Sequence, residues 1–360
     1  MNPGTLVIRA DASVAMGTGH VMRCLALAQA WRDSGGDVVI AAAELTPAIA
    51  HRLQSEGIEM VRLESKSTST ANAHQLAALA DARCASWVVV DGYQFDSAYQ
   101  RSIKDSGFRL LLIDDTGQCG PYCADVVLNQ NAYAGEQMYF DRSPSTKLLP
   151  GLRYALLRKE FSDWREWRRN FAPMVQRLLI MMGGSDPENC TARILRAVLT
   201  LELKDVEITV VIGGSNPHHL SLRELESHAR NIRLQIDVNN MPEVMAGADL
   251  AISAAGTTCY ELALLQVPMV LLAVAENQVP SARVLQSLGA AIAAGWCANF
   301  NEERFADILH QVIQDSQLRR SLAQSASRLL DGMGARRVCQ CLLDIAERSE
   351  ARSRLRVGVC

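Results

Sequence analysis

The chain is short of aromatic residues, of net charge and of long apolar runs. Phe, Trp and Tyr make up only 5% of its 360 residues, so the 49% apolar content comes mainly from Ala, Val, Leu and Ile. That mixture suits parallel strands covered by helices. The formal net charge of −3 gives no electrostatic footprint for nucleic acid. No apolar stretch reaches the roughly 18–20 residues that cross a bilayer. The nearest, at 262–275, is divided by Gln266 and Pro268 into a helix end and a strand, so no stable membrane insertion is expected. Residues 5–9 already read as a strand, with no charged region, apolar core and cleavage site before them. No signal peptide is therefore expected, and the expected location is the cytoplasm. The ten cysteines lack the usual two-residue spacing of a zinc site: three residues separate Cys119 from Cys123, and one separates Cys339 from Cys341. They are expected to be reduced and largely buried thiols. A Ser nucleophile elbow, a Walker loop and a His-Glu-x-x-His run are also missing.

What is present is a regular alternation of strand and helix, in a chain long enough for two domains. The first half predicts strands at 6–10, 38–42, 87–90, 109–113 and, as its last, 126–128, with helices at 21–33, 47–55 and 99–106. The second half predicts strands at 178–182, 207–212, 232–236, 250–253 and 268–273, with helices at 191–201, 241–246 and 279–288. The expectation is an α/β protein of two Rossmann-like, doubly wound parallel-sheet domains with an interdomain cleft. Domain boundaries are placed at 1–155 and 174–330. A linker with helical character at 159–169 occupies 156–173, and a terminal helix with a frayed, Arg-rich tail occupies 331–360.

The loops at the carboxyl ends of the strands carry the polar motifs. The first strand leads into Gly17-Thr18-Gly19-His20-Val21-Met22-Arg23, where two glycines allow a tight turn and a close approach to a ligand. A third dinucleotide-binding glycine is lacking, so the run fits a capping histidine on a strand-to-helix turn as well as a reactive one. Ser253-Ala254-Ala255-Gly256-Thr257-Thr258 forms a second elbow, whose small residues and hydroxyls suit a phosphate on backbone amides. Glu261, one turn later, either accepts bonds from vicinal hydroxyls or simply favours the helix dipole. Asn277-Gln278 follows the next strand and suits a base, sugar or phosphate, or a plain helix cap. Gly183-Gly184-Ser185-Asp186 and Gly213-Gly214-Ser215 close two more strands, and Asp186 can simply cap the helix after it. Asp91-Gly92-Tyr93 and Asp114-Asp115 end first-half strands and face the same cleft. The two adjacent aspartates favour a structural or sugar-contacting role over metal.

Arg9-Ala10-Asp11-Ala12-Ser13, followed by Gly17-Thr18-Gly19-His20-Val21-Met22-Arg23-Cys24-Leu25, closely resembles the opening of the UDP-2,4-diacetamido-2,4,6-trideoxy-β-L-altropyranose hydrolases of pseudaminic acid biosynthesis. Asp91-Gly92-Tyr93, Ile113-Asp114-Asp115, Tyr154-Ala155-Leu156-Leu157-Arg158, Met182 to Asp186, Ile252 to Thr258 and Ala275 to Gln278 extend the likeness to about residue 330. The second elbow is shared more widely, with the glycosyltransferase that makes lipid II. The resemblance implies a GT-B fold, with the nucleotide held mainly by the second domain. It also implies cleavage of a glycosyl phosphate linkage without metal or cofactor. Water would attack the anomeric carbon with inversion, releasing UDP and free sugar.

By position, the resemblance makes His20 the catalytic base. Gly17, Gly19, Arg23, Asp91 and Tyr93 are expected on the substrate from the first half, with Asn131, Arg158, Asn277 and Gln278. The nucleotide is expected against Gly184, Ser185 and Met241, and against Gly256, Thr257, Thr258 and Glu261. Ala255 stands where the family often has a second glycine, which slightly narrows the approach of a phosphate. A GT-B glycosyltransferase using a UDP-acetamido sugar is the alternative, since the same base could deprotonate an acceptor hydroxyl. A sugar epimerase or a non-catalytic binder is a third reading. The partner expected in every case is a small UDP-sugar.

Overall fold

A computed structural model describes residues 3–64, 70–227 and 229–357 of the chain. In the first half, β1 (Thr5–Ala10), β2 (Asp37–Ala42), β3 (Glu59–Arg62), β4 (Ala85–Asp91), β5 (Leu110–Ile113), β6 (Val126–Asn129) and β7 (Lys147–Pro150) pair only in parallel. They form a seven-stranded sheet in the order β3-β2-β1-β4-β5-β6-β7. Its helices are α1 (Gly19–Asp33), α2 (Pro47–Ser55), α3 (Thr70–Ala82) and α4 (Ser97–Asp105).

The central strands are apolar at nearly every position because both faces are covered. Leu6, Ile8, Trp87 and Val89 join one core with Leu25 and Trp31 of α1. Val7, Val88 and Val90 join the opposite core with Leu76 of α3 and Ile103 of α4. Continuous Val/Ile/Leu runs are what a parallel sheet between two helical layers requires.

In the second half, β8 (Arg177–Met181), β9 (Glu207–Ile212), β10 (Ile232–Ile236), β11 (Leu250–Ala254), β12 (Met269–Ala273) and β13 (Ile292–Trp296) form a six-stranded parallel sheet. Its order is β10-β9-β8-β11-β12-β13. Helices α5 (Cys190–Leu199), α6 (His219–Ser227), α7 (Met241–Gly247), α8 (Thr258–Leu264), α9 (Gln278–Ser287), α10 (Glu302–Gln314) and α11 (Ser316–Ser327) accompany it. Each sheet therefore has one point where the chain, having moved outward on one side, returns to the other: β1/β4 in the first and β8/β11 in the second. Ligands of open α/β sheets bind beyond the carboxyl ends at such switch points.

The terminal α12 (Gly334–Val357) packs on the first half, not the second. Val338, Cys339 and Leu342 enter the core of α1 and β4, and the Trp87 indole N–H donates to the Leu342 carbonyl at 3.2 Å. No helix among the described residues is long and apolar enough to cross a membrane.

Several expectations are corrected. β3, β7 and β13 were not anticipated, and all three lie at sheet edges. These three are short or half-exposed and lack the buried apolar run that marks the central strands, so β7, not 126–128, is the last strand of the first sheet. α3 is rich in Ala with little periodicity, and α6 buries only Leu222. The helical linker reduces to a 3₁₀ turn over Lys159–Trp164. The Arg-rich end continues as helix through Val357, and 358–360 lie outside the described residues. Cys190 and Cys297 form a disulfide between the start of α5 and the end of β13, so not all the cysteines are free thiols. Cys119 and Cys339 belong to different cores, so the two close cysteine pairs do not come together.

Leu342→Ala deletes side-chain volume under α1 at a fully buried position. It is expected to lower unfolding stability by about 2–5 kcal/mol, measured as a drop in the chemical denaturation midpoint.

Candidate active site

The turn between β1 and α1 is built around Gly17, whose φ of +87° is closed to most side chains. Its N–H donates to the Ser13 carbonyl at 2.9 Å. The turn delivers His20 as the second residue of α1. His20 does not cap the helix. Its Nδ1 lies 2.7 Å from Asp91 Oδ1, at the end of the neighbouring strand β4. A carboxylate at that distance accepts a hydrogen bond from Nδ1–H, and a neutral ring so held has its lone pair on Nε2. The Tyr93 ring meets the imidazole edge-on, with centroids 4.8 Å apart.

Arg23, one helical turn beyond His20, donates to both Asp91 oxygens, Nε to Oδ2 and Nη2 to Oδ1, each at 2.6 Å. Its Nη1 reaches both oxygens of Asp115 at 2.9 and 2.8 Å. Asp115 also accepts from the Tyr93 hydroxyl at 3.1 Å and from Asn131 Nδ2 at 2.6 Å. Burial alone would raise the Asp91 carboxyl, but Arg23 and then His20 outweigh it and hold it well below the usual carboxylate range. Burial opposes the charge on Arg23 as well, yet Asp115 and Asp91 raise its pKa further. Burial and the neighbouring Asp115 push the Tyr93 phenol up, so it stays a hydrogen-bond donor.

The second half closes over this cluster. A cleft of about 310 Å³ is lined by Gly17, Gly19, His20, Arg23, Tyr93 and Asn131 on one side. On the other side lie Gly184, Ser185, Gly256, Thr257, Thr258, Asn277 and Gln278, with Arg158 and Glu261 beside them. A second cavity of about 160 Å³, which includes Met241, shares Thr18, Arg158, Gly184 and Glu261 with the first. The halves approach through glycine: a Cβ on Gly184 would collide with Thr18 Oγ1, and one on Gly214 with Ala48 Cβ. Asn277 Nδ2 donates to the Tyr93 hydroxyl at 2.7 Å, and Thr46 Oγ1 lies 2.6 Å from Ser215 Oγ. The Gln278 carbonyl oxygen is occupied by the Val274 N–H at 3.0 Å.

Three positions have partners within the chain that the sequence did not reveal. Asp91 does not line the cleft: it is 1% exposed, its oxygens are bonded by His20 and Arg23, and it holds the histidine from behind. The Arg23 guanidinium lines the cleft but is engaged by two carboxylates. Glu261 is buried and receives Arg158 Nε and Nη2 on Oε1 at 3.2 and 2.9 Å. Burial raises its pKa despite that arginine. Asp186 takes the capping alternative, accepting from the Cys190 and Thr191 N–H groups at 2.8 and 2.9 Å. Asp114 is structural, bonded by Thr116, Gly117 and the Tyr122 hydroxyl. From its place at a strand end, sequence reasoning offers Asp115 only a structural or sugar-contacting role, and it offers Thr18 and Tyr260 none. No group of three His, Cys, Asp or Glu side chains able to hold a metal occurs among the described residues.

Residues 178–333 match the glycosyltransferase family 28 C-terminal domain. Over 286 residues the chain is 26% identical to the UDP-2,4-diacetamido-2,4,6-trideoxy-beta-L-altropyranose hydrolase of Campylobacter jejuni, covering 79% of this chain and 97% of that one. It is 28% identical to the spore coat polysaccharide biosynthesis protein SpsG of Bacillus subtilis over 56% of this chain and 60% of that relative. The chain thus spans less than two thirds of the length of some curated relatives it matches. In structure it is similar to MurG of Acinetobacter baumannii, with a TM-score of 0.62, 18% identity, and coverage of 95% and 100% of the two chains. The architecture is GT-B, the fold expected from the sequence.

The low Asp91 carboxyl implies a pH dependence of known sign. A depressed carboxyl contributes stability that is present above its unfolded value, about 3.9, and lost as pH falls through the lower folded value. Asp91→Asn leaves Arg23 with one fewer buried counter-charge, and is expected to cost about 3–5 kcal/mol. Denaturant midpoints of the variant should also fall less steeply than those of the native chain as the solution is acidified below about pH 4.

Proposed function

We propose that this chain hydrolyses a UDP-diacetamido-trideoxy sugar to UDP and free sugar, in pseudaminic acid biosynthesis in the cytoplasm. The observation that carries the reading is His20 on the cleft wall, held from behind by Asp91, opposite the elbow at 253–258. Asp91 accepts the hydrogen bond from His20 Nδ1–H and stays ionised, and His20 Nε2 removes a proton from water as its oxygen attacks the anomeric carbon. The bond from that carbon to the phosphate oxygen breaks, and its electron pair leaves with UDP. Attack opposite the leaving group inverts the anomeric centre. The imidazolium that forms sits beside Asp91, which lowers its energy. Supporting this are the likeness to the Campylobacter hydrolase over nearly that relative's full length and the shared motif from Arg9 to Leu25.

The second half would hold UDP. Gly256, Thr257 and Thr258 present backbone amides to the diphosphate without a metal, and Gly184 and Ser185 approach it from β8. α8 has seven residues, so these local amides matter more than a long helix dipole. Met241 would flank the base. Glu261 would exchange its Arg158 contact for ribose hydroxyls, leaving Arg158 paired with Glu160 at 2.8 Å beside the diphosphate. Tyr93, Asn131, Asn277 and Gln278 would surround the sugar, and Gly17 and Gly19 leave room for it.

The family 28 domain favours a second reading, transfer of the sugar to an acceptor hydroxyl deprotonated by the same His20. Incubation of UDP-acetamido sugars without acceptor separates the two. A hydrolase releases UDP and sugar at full rate, whereas a transferase waits for acceptor. In ¹⁸O-water the label is expected in the free sugar; label in UDP would mean attack at phosphorus and end this mechanism. His20→Asn is expected to lower turnover about 10²–10⁴-fold with UDP affinity retained. Near-normal turnover in that variant removes His20 as the base.

A further inference from the structure

Two hydrogen-bond routes leave the second half and end on one first-half carboxylate. In the first, Asn277 Nδ2 donates to the Tyr93 hydroxyl at 2.7 Å, and that hydroxyl donates to Asp115 Oδ2 at 3.1 Å. In the second, the Tyr260 hydroxyl of α8 donates to Asn131 Oδ1 at 3.1 Å, and Asn131 Nδ2 donates to Asp115 Oδ1 at 2.6 Å. Tyr260 is buried behind the elbow rather than in the cleft. From Asp115 the chain of contacts runs inward through Arg23 Nη1 at 2.8 Å, from Arg23 to Asp91 at 2.6 Å, and from Asp91 to His20 Nδ1 at 2.7 Å.

Asp115 is itself firmly placed. Its backbone carbonyl accepts from Asn129 Nδ2 at 3.1 Å and from the Tyr133 hydroxyl at 2.9 Å. Asp115 is 2% exposed where it borders the cleft, so little of it is open to water in place of a lost partner. Without the second half, Tyr93 and Asn131 would lack the bonds that hold them from the other side. Asp115, and through Arg23 the Asp91–His20 contact, would then be less firmly held.

We propose that Asp115 is a positioning residue that couples closure of the two halves to the orientation of His20, so that the histidine is fully aligned only over a bound UDP-sugar. The economy of such a coupling is that a UDP-sugar is hydrolysed only when it bridges both halves. The proposal rests on His20 being the base, and a direct view of the imidazole separates the two ideas.

The test uses the full chain labelled with ¹⁵N-histidine, with and without UDP, at a pH where the imidazole is neutral. His20 is assigned by the signal missing in His20→Asn. In the native chain with UDP, His20 is expected as a single tautomer protonated at Nδ1. In Asp115→Asn its two nitrogens are expected to move toward a mixture of tautomers. Turnover of UDP-sugar should fall about 10²-fold through kcat, with KM nearly unchanged. Tyr260→Phe removes only a hydroxyl outside the cleft and should shift the same signals in the same direction, less far. It carries the test if Asp115→Asn does not fold. A His20 spectrum unaltered in these variants, or a loss carried by KM alone, overturns the coupling. If the native chain turns over no UDP-sugar, the functional reading fails, and the spectra alone decide the coupling.

Discussion

The site depends on one cation held between two buried carboxylates. Arg23 is the only side chain that touches both Asp91 and Asp115 in the described network, and each carboxylate is almost wholly buried. Unpaired, either would face a desolvation penalty of several kcal/mol. Their spacing is a consequence of the sheet. Asp91 ends β4 and Asp115 follows β5, adjacent parallel strands, and α1 runs over the same carboxyl edge with Arg23 one turn beyond His20. Arginine suits the position because its planar fork can address two carboxylates in two directions, which an ammonium group cannot.

Two carboxylates and one guanidinium leave the cluster with one net negative charge while His20 is neutral. Protonation of the imidazole brings it to zero. In the proposed hydrolysis, that balance in a low-dielectric pocket would lower the energy of the step in which His20 takes a proton from water. The same charge would repel a diphosphate close by. In the proposed binding mode the diphosphate would lie away from that charge, since the turns Gly183–Ser185 and Gly256–Thr258 line the cleft from the other half. The glycines at the junction let the backbones approach closely enough for Tyr93 and Asn277 to meet.

How much of this could be read in the sequence followed from burial. The central strands β1, β4, β8, β11 and β12 are covered on both faces, and their apolar runs ended within a few residues of the observed limits. Edge strands β3, β7 and β13 have one flank open and mixed composition, so nothing marked them out. The return of α12 to the first half was invisible for a different reason. Its apolar residues show that it packs, but no local pattern says against what, and the partners Trp31 and Trp87 are hundreds of residues away.

The site divides along the same line. Glycine turns are local, and the loops at 17–20, 183–186 and 256–258 were found because a strand followed by Gly and a helix is a pattern within a dozen residues. Roles set by pairing were not local. Asp91 and Tyr93 stand side by side in sequence, and both were assigned to the substrate. Parallel pairing of Ala10 with Asp91 brings the Asp91 carboxylate under His20 instead, while Tyr93 remains on the cleft wall. Asp115 and Asp114 are neighbours too, yet successive residues at a strand end point to opposite sides. One faces Tyr122 and its own loop, and the other faces Arg23. An acidic pair in sequence was thus two unrelated residues in space, and only the one turned toward α1 could belong to the chemistry.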